Sequence, residues 1–290
     1  MKTCPTVTKT PPSNATRLDE RSLALRRQII RTMAAGQRGH VASAFSLVEI
    51  LRVLYDDVLR YDPRNPRWEG RDRCILSKGH GCLALYAILA DKGFFPEEEL
   101  WRFCKTDGIL GGHPEFGKVP GVEASTGSLG HGLSIGVGMA ICARQDAPGR
   151  RVFVVTSDGE CNEGSVWEAA LCAAKHRLSN LTLLLDYNKQ QSYGTTYEVL
   201  DLEPLGDKWR AFGFAVEEVD GHDVAAIRAA VGRTPFQADR PSLIICHTIK
   251  GKGIPFVENN LKWHHKTKVS DDELQTLLQA LEGQPCDKPA

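Results

Sequence analysis

The run Val152-Phe153-Val154-Val155-Thr156, stopping at Ser157-Asp158-Gly159, constrains this chain more than any other stretch. It is continuously apolar and mostly β-branched, with no polar alternation, which predicts a strand buried on both faces. Ser165 to His176 has helical composition, and a second apolar run, Leu181 to Leu185, ends in Asp186-Tyr187-Asn188. Strand, helix, strand predicts two parallel neighbours whose C-terminal ends share one edge of a sheet. Asp158 and Asn188 then fall side by side where parallel sheets bind ligands.

Taken singly, Asp-Gly after a strand is a turn and Asn after a strand is a turn or a cap. Removing such a turn aspartate is expected to cost little stability. Together the two offer a carboxylate and an amide carbonyl, both hard oxygen ligands. An octahedral cation that keeps phosphate oxygens needs only one or two such groups from protein. Gly159 lets the backbone approach a phosphate, and the helix that follows directs free N–H groups at it. The pair predicts a diphosphate held through Mg²⁺, with Ca²⁺ or Mn²⁺ able to replace it.

The chain has 290 residues, 36 basic and 36 acidic. The length suffices for a substantial core, and the βα pattern predicts one α/β domain, a parallel sheet with helices on both faces. Zero net charge gives no reason to expect a nucleic-acid or membrane partner. The nine cysteines form no CxxC pair, which argues against a zinc site or a disulfide framework and predicts a reducing cytoplasm. Neither a signal peptide nor a transmembrane run is visible.

Residues 1–15 read as a flexible tail, 16–283 as the domain and 284–290 as a second tail. Thr16 is expected to cap a helix that Gly36 closes, and a second helix is expected from about Ser46 with Ile50, Leu51, Leu54 and Val58 inward. Cys74 to Leu76 predicts a short strand, and Leu83 to Lys92 a helix. Gly108 to Gly132 is rich in glycine and long for a structureless connection, the mark of a functional loop. Leu133 to Arg144 predicts a helix, and Gln190 to Leu205 reads as irregular. A helix at Asp207–Phe212, a strand at Ala215–Val219, a helix at Val224–Val231 and a strand at Leu243–Cys246 follow. Ser270 and Glu273 form a capping box for a last helix ending at Gly283.

Four histidines stand beside glycine or near the ends of predicted strands: His40, His80, His113 and His264, the last followed by His265. One such histidine is ordinarily a turn residue, but four near a diphosphate could stabilise oxyanions or relay protons. His131 is less readily assigned. His176 and His222 read as structural.

These motifs resemble the N-terminal, diphosphate-binding part of transketolase. GHVASAFSLVEIL, LSKGH, GGHPE, PGVEASTGSLGHGLS, SDGECNEGSVWEA, DYNKQQ and HTIKGKGIPFVENNLKWHH come in that family's order and cover most of residues 36–266. The E1 α-subunits of 2-oxo acid dehydrogenases share the Asp-Gly…Asn logic but not GHPE or TGSLGHG. The resemblance implies the thiamine diphosphate-binding fold of the diphosphate-binding (PP) type. It implies Asp158, Asn188 and the carbonyl of Gln190 as metal ligands. Gly127, Ser128, Leu129, Gly159, Glu160 and His80 would contact the cofactor. His40, His80, His113 and His264 would line the substrate channel, and Glu163 would lie at a subunit interface. Two positions depart from the family pattern: Ser157 stands for a glycine, and His265 for the glycine that often follows the last histidine.

A complete transketolase is more than twice as long, and its second α/β domain supplies the glutamate that activates the cofactor. The resemblance therefore implies the N-terminal subunit of a split transketolase. Such an enzyme moves a two-carbon ketol unit from a ketose or ketose phosphate to an aldose. Its partner would be a C-terminal subunit carrying the pyrimidine-binding domain, in an α₂β₂ assembly. The face around Gly127–Leu133 and Glu163 is expected to be rich in small and apolar groups awaiting that partner. A related carbon–carbon bond-forming synthase with an unusual acceptor, and a non-catalytic scaffold subunit, are the other readings the sequence leaves open.

Overall fold

The computed structural model describes residues 16–283; both tails predicted from the sequence lie outside them. In chain order the regular elements are α1 (Glu20–Gly36), α2 (Val41–Phe45), α3 (Val48–Val53), β1 (Arg73–Leu76), α4 (Cys82–Asp91), α5 (His131–Asp146) and β2 (Val152–Ser157). They continue with α6 (Gly164–Lys175), β3 (Leu181–Tyr187), α7 (Thr196–Val199), α8 (Leu205–Ala211), β4 (Ala215–Asp220), α9 (Val224–Gly232), β5 (Ser242–His247) and α10 (Asp271–Glu282).

The five strands form one parallel sheet in the order β1-β2-β3-β5-β4. Successive side chains point to opposite faces, so each strand feeds two cores. Phe153, Val155, Leu184 and Ile244 pack with α1–α4, α9 and α10. Val152, Val154, Leu183, Leu185, Leu243 and Ile245 pack with α5, α6 and α8. Helices therefore cover both faces, and the central strands can be apolar throughout. The register sets Ser157 opposite Asp186 and Tyr187 opposite His247. The residues just past β2, β3 and β5 thus converge at one edge.

Several local expectations need correction. Asp19, not Thr16, caps α1, accepting from the Ser22 N–H at 2.9 Å. The Thr16 hydroxyl instead donates to Asp220 at 2.7 Å. Helix α1 runs through Gly36, and Gln37 takes the left-handed position at φ 52°. Gly36 is needed for packing: a Cβ there would meet the Phe103 ring at 2.6 Å.

The helix expected from Ser46 begins earlier, breaks between α2 and α3, and ends in a π turn over Leu54–Val58. At the break the Ser46 hydroxyl donates to Asp186 at 2.6 Å, tying that turn to the sheet edge. Within Gln190–Leu205 the one-turn helix α7 opens on a capping box formed by Thr195 and Glu198. The segment from Gly108 to Gly130 carries no helix or strand, as its glycines predict.

Candidate active site

Beyond β2, Asp158 is 1 % exposed, and its two oxygens accept from the N–H of Gly159 at 2.7 Å and of Lys189 at 2.6 Å. It is not a surface turn residue, because the sheet edge closes around it. Asn188 follows β3, also buried, with its Oδ1 accepting from the Gln190 N–H at 3.1 Å. The Gln190 carbonyl accepts from the Lys250 ammonium at 3.0 Å. Asp158, Gly159, Asn188 and Gln190 share the wall of one cavity of about 280 Å³ with Gly127, Leu129, Glu163, His40, His80 and His264.

The floor of this cavity is charged. Asp186, at the end of β3, is fully buried and accepts from the Lys78 ammonium at 2.5 Å, from Ser46 and from the Thr248 hydroxyl. Burial alone would raise the Asp186 carboxyl, but the Lys78 charge and these hydrogen bonds hold it below its ordinary value. Asp158 goes the other way: burial, then the neighbouring Asp186 charge, push it up to about 6. Burial and then Lys78 push Lys250 down to about 8.

Neither lysine was assigned to the site from the sequence. The signal was present in Leu-Ser-Lys-Gly-His and Thr-Ile-Lys-Gly, where a lysine follows a buried strand next to glycine. Both lysines line the cavity.

Glu160 was expected to contact the cofactor, yet its carboxylate is 0 % exposed and turned into the fold. It accepts from the Ser77 hydroxyl and from the Gly130 N–H at 2.9 Å. Its second oxygen accepts from the Thr156 hydroxyl at 2.8 Å and the Ser157 N–H at 3.0 Å. Its side chain therefore clamps the glycine loop to the ends of β1 and β2 and does not face the cavity.

Three histidines of the same cavity lie close together. The His40 ring lies 5.3 Å from His80 and 5.7 Å from His264, and His80 lies 6.1 Å from His264, centroid to centroid. Burial, followed by neighbouring positive groups, pushes His40 and His264 down to about 3 and His80 well below its ordinary value. All three are neutral at pH 7. His264 faces the cavity with a buried Nδ1 that has no protein partner, whereas His265 is exposed.

His113 is exposed and stands at the rim against Gly127, where a Cβ would meet its ring at 2.9 Å; Gly127 adopts φ 154°. The face expected to await a partner is mixed in character. Ser128, His131 and Glu163 are exposed there, but Leu133 is buried against β1, β2 and β3. His176 is a surface cap residue. His222 is structural, as read: its Nδ1 pairs with Glu49 at 2.8 Å and its Nε2 accepts from the Ile249 N–H at 2.8 Å.

The donor set fits a hard dication. A carboxylate, an amide and a backbone carbonyl, all hard oxygen donors, belong to residues that line one cavity. A buried carboxylate repelled by a second one is relieved by a cation beside it. The Gln190 carbonyl has two lone pairs, so the Lys250 ammonium does not exclude a metal from it. No cluster of three His, Cys, Asp or Glu that could hold a metal ion occurs among the described residues. The seven cysteines among the described residues are free, and no described helix is long and apolar enough to cross a membrane.

The family model for the thiamine diphosphate binding domain of transketolase matches residues 20–288. A 6-deoxy-6-sulfo-D-fructose transketolase subunit, SqwG, of Clostridium sp. is 43 % identical, over 84 % of this chain and 88 % of that protein. An apulose-4-phosphate transketolase subunit of Actinobacillus succinogenes is 41 % identical, over 92 % of this chain and 96 % of that protein. Human transketolase is 38 % identical over 83 % of this chain, which spans 38 % of its length.

Among solved structures, a transketolase of Pichia stipitis in complex with sedoheptulose 7-phosphate superposes with a TM-score of 0.83 at 28 % identity. It covers 89 % of this chain, which spans 40 % of its length. A Campylobacter jejuni transketolase gives the same TM-score and identity over 91 % of this chain and 42 % of its own. With a matching domain model, relatives of the same length above 40 % identity and a shared fold, the chain belongs to the transketolase family as its thiamine diphosphate binding domain.

Proposed function

We propose that this chain is the N-terminal subunit of a two-subunit transketolase, transferring a two-carbon ketol unit from a ketose or ketose phosphate to an aldose. The observation that carries the reading is the cavity itself, whose lining brings Asp158, Asn188 and Gln190 together with three neutral imidazoles. Relatives that match nearly end to end are named subunits, which supports a partner subunit; that it is a C-terminal subunit in an α₂β₂ assembly is part of the proposal. Their names give 6-deoxy-6-sulfo-D-fructose for one and apulose 4-phosphate for the other. An anionic or branched sugar is accordingly the substrate class to try first.

Thiamine diphosphate, when bound, supplies a nucleophilic carbon that carries the two-carbon unit between sugars. Asp158, Asn188 and the Gln190 carbonyl would hold Mg²⁺, and Gly159 with the Gly127–Leu129 backbone would lie against the cofactor. Lys78 and Lys250 set a positive potential at the diphosphate end, while Asp186 keeps Lys78 in place. Each neutral imidazole offers one N–H and one lone pair. His40, His80 and His264 can therefore accept from one sugar hydroxyl while donating to a neighbouring oxygen, moving a proton without carrying net charge. His113 closes the rim.

The test is ketol transfer by the complex reconstituted with its C-terminal subunit, using a sulfo- or phospho-ketose donor and an aldose acceptor. Two-carbon transfer that His264→Ala lowers by about 10²- to 10⁴-fold, with cofactor affinity kept, supports the reading. Wild-type turnover in that variant returns the imidazoles to a structural role.

A further inference from the structure

Two sequence neighbours, His264 and His265, point in different directions, and the second has no role in the function proposed above. The His265 ring stacks on His40 with centroids 4.3 Å apart and planes 12° apart. His80 and His264 meet the same ring at 60° and 90°. Among the described residues, His40 is thus covered face to face by His265 alone, and no hydrogen bond from its side chain fixes the orientation of its ring.

The segment that presents His265 is anchored on both sides. Gly39 and Lys266 exchange backbone hydrogen bonds at 2.9 and 3.0 Å, and the Val269 N–H donates to the Gln37 carbonyl at 2.8 Å. Lys266 pairs with Glu273 at 2.6 Å and lies over the buried Trp263 ring at 4.4 Å. The strap therefore holds His265 in register with His40, while His265 itself stays exposed and outside the cavity wall.

We propose that His265 is a positioning residue. Its stacked face sets the plane of His40, and so the direction in which His40 offers its N–H and lone pair to substrate. The inference rests on the cavity being a transketolase substrate channel. The titratable groups facing His40 are His265, His264, His113 and Lys250, and after burial these oppose its protonation. Of these, only His265 lies flat against the ring.

The experiment compares His265→Gly with His265→Phe, which keeps the aromatic face but not the nitrogens. In the reconstituted two-subunit enzyme, His265→Gly should lower kcat by about 10- to 100-fold, the size of effect a misplaced catalytic group produces. Thiamine diphosphate affinity should be unchanged, and His265→Phe should recover most of the loss. In parallel, imidazole NMR of the full chain should show the His40 resonances averaging, and its pKa rising, in His265→Gly.

Wild-type kcat with unchanged His40 resonances in His265→Gly would overturn the proposal. So would a loss that His265→Phe does not recover, because then a nitrogen of His265 and not its face is what matters. If the wild-type complex shows no ketol transfer while His40 still responds in the NMR, the functional reading fails and the positioning role stands.

Discussion

The Asp158 carboxylate is held by two backbone N–H groups while burial and the Asp186 charge resist its ionisation. Because its folded pKa is raised to about 6 from the ordinary aspartate range, its contribution to stability is full in acid and is lost as pH rises through about 6. Without metal the residue is a liability at neutral pH, which agrees with the metal-binding role proposed for it. Asp158→Asn removes the charge but leaves one of the two backbone N–H groups without an acceptor, so its melting temperature relative to wild type should rise as pH goes from about 4 to about 7.5, and it should abolish Mg²⁺-dependent cofactor binding. Calorimetry in the reconstituted complex and thermal melts of the free chain check both halves. A variant whose melting temperature relative to wild type does not rise with pH, or that binds cofactor normally, contradicts this assignment.

The imidazoles have the opposite linkage. His40 and His264 are pushed down to about 3 and His80 below its ordinary value, against about 6.5 in an unfolded chain. Between those limits the unfolded state binds more protons, so stability is full above about pH 6.5 and falls as pH drops toward 3. Denaturation midpoints of the cofactor-free chain should decline from pH 7 to pH 4, and His40→Gln/His264→Gln should flatten that slope. An unchanged slope would mean these rings are not the neutral, desolvated groups described.

At the scale of elements, the strands and most helices were readable because a doubly covered parallel sheet imposes long apolar runs that end abruptly. Asp158 and Asn188 were found by that logic alone. What escaped notice depended on partners distant in sequence. Nothing near Glu160 says that its oxygens are consumed by Ser77, Gly130, Thr156 and Ser157. Nothing near Ser46 says that its hydroxyl, at the break between α2 and α3, donates to Asp186, 140 positions away. The Thr195–Glu198 capping box was legible but lay in a segment too short to show helical periodicity.

The buried trio of Glu49, Arg26 and His222 is a case of the same kind. Arg26 on α1 donates to Glu49 on α3 at 2.6 Å and 3.0 Å, and His222 after β4 completes the pair. Burial opposes the Glu49 charge, yet the Arg26 charge and the His222 hydrogen bond hold its carboxyl well below the usual range. Its stabilisation is thus present above the ordinary carboxylate range and lost as pH falls below it. Glu49→Leu strands a buried guanidinium and should cost about 3–5 kcal/mol, read from urea denaturation. A cost under about 1 kcal/mol would show that the trio does not tie these elements together.

For the whole molecule, the cavity explains why the fold is needed and why this chain is proposed to be one part of a larger enzyme. The groups proposed to hold the metal and the three imidazoles line one cavity at the sheet edge, with Glu163 in its lining and Ser128 exposed. Sites of this sort lie between domains, and a ligand bound across such a boundary stabilises the assembly that forms it. The most direct measurement is titration of thiamine diphosphate with Mg²⁺ into this chain alone, into the C-terminal subunit alone and into their mixture, with ketol transfer assayed on each. Weak binding and no transfer are expected for this chain alone, with tight binding and transfer appearing together in the mixture. Tight binding with ketol transfer by the purified single chain would contradict the half-site reading.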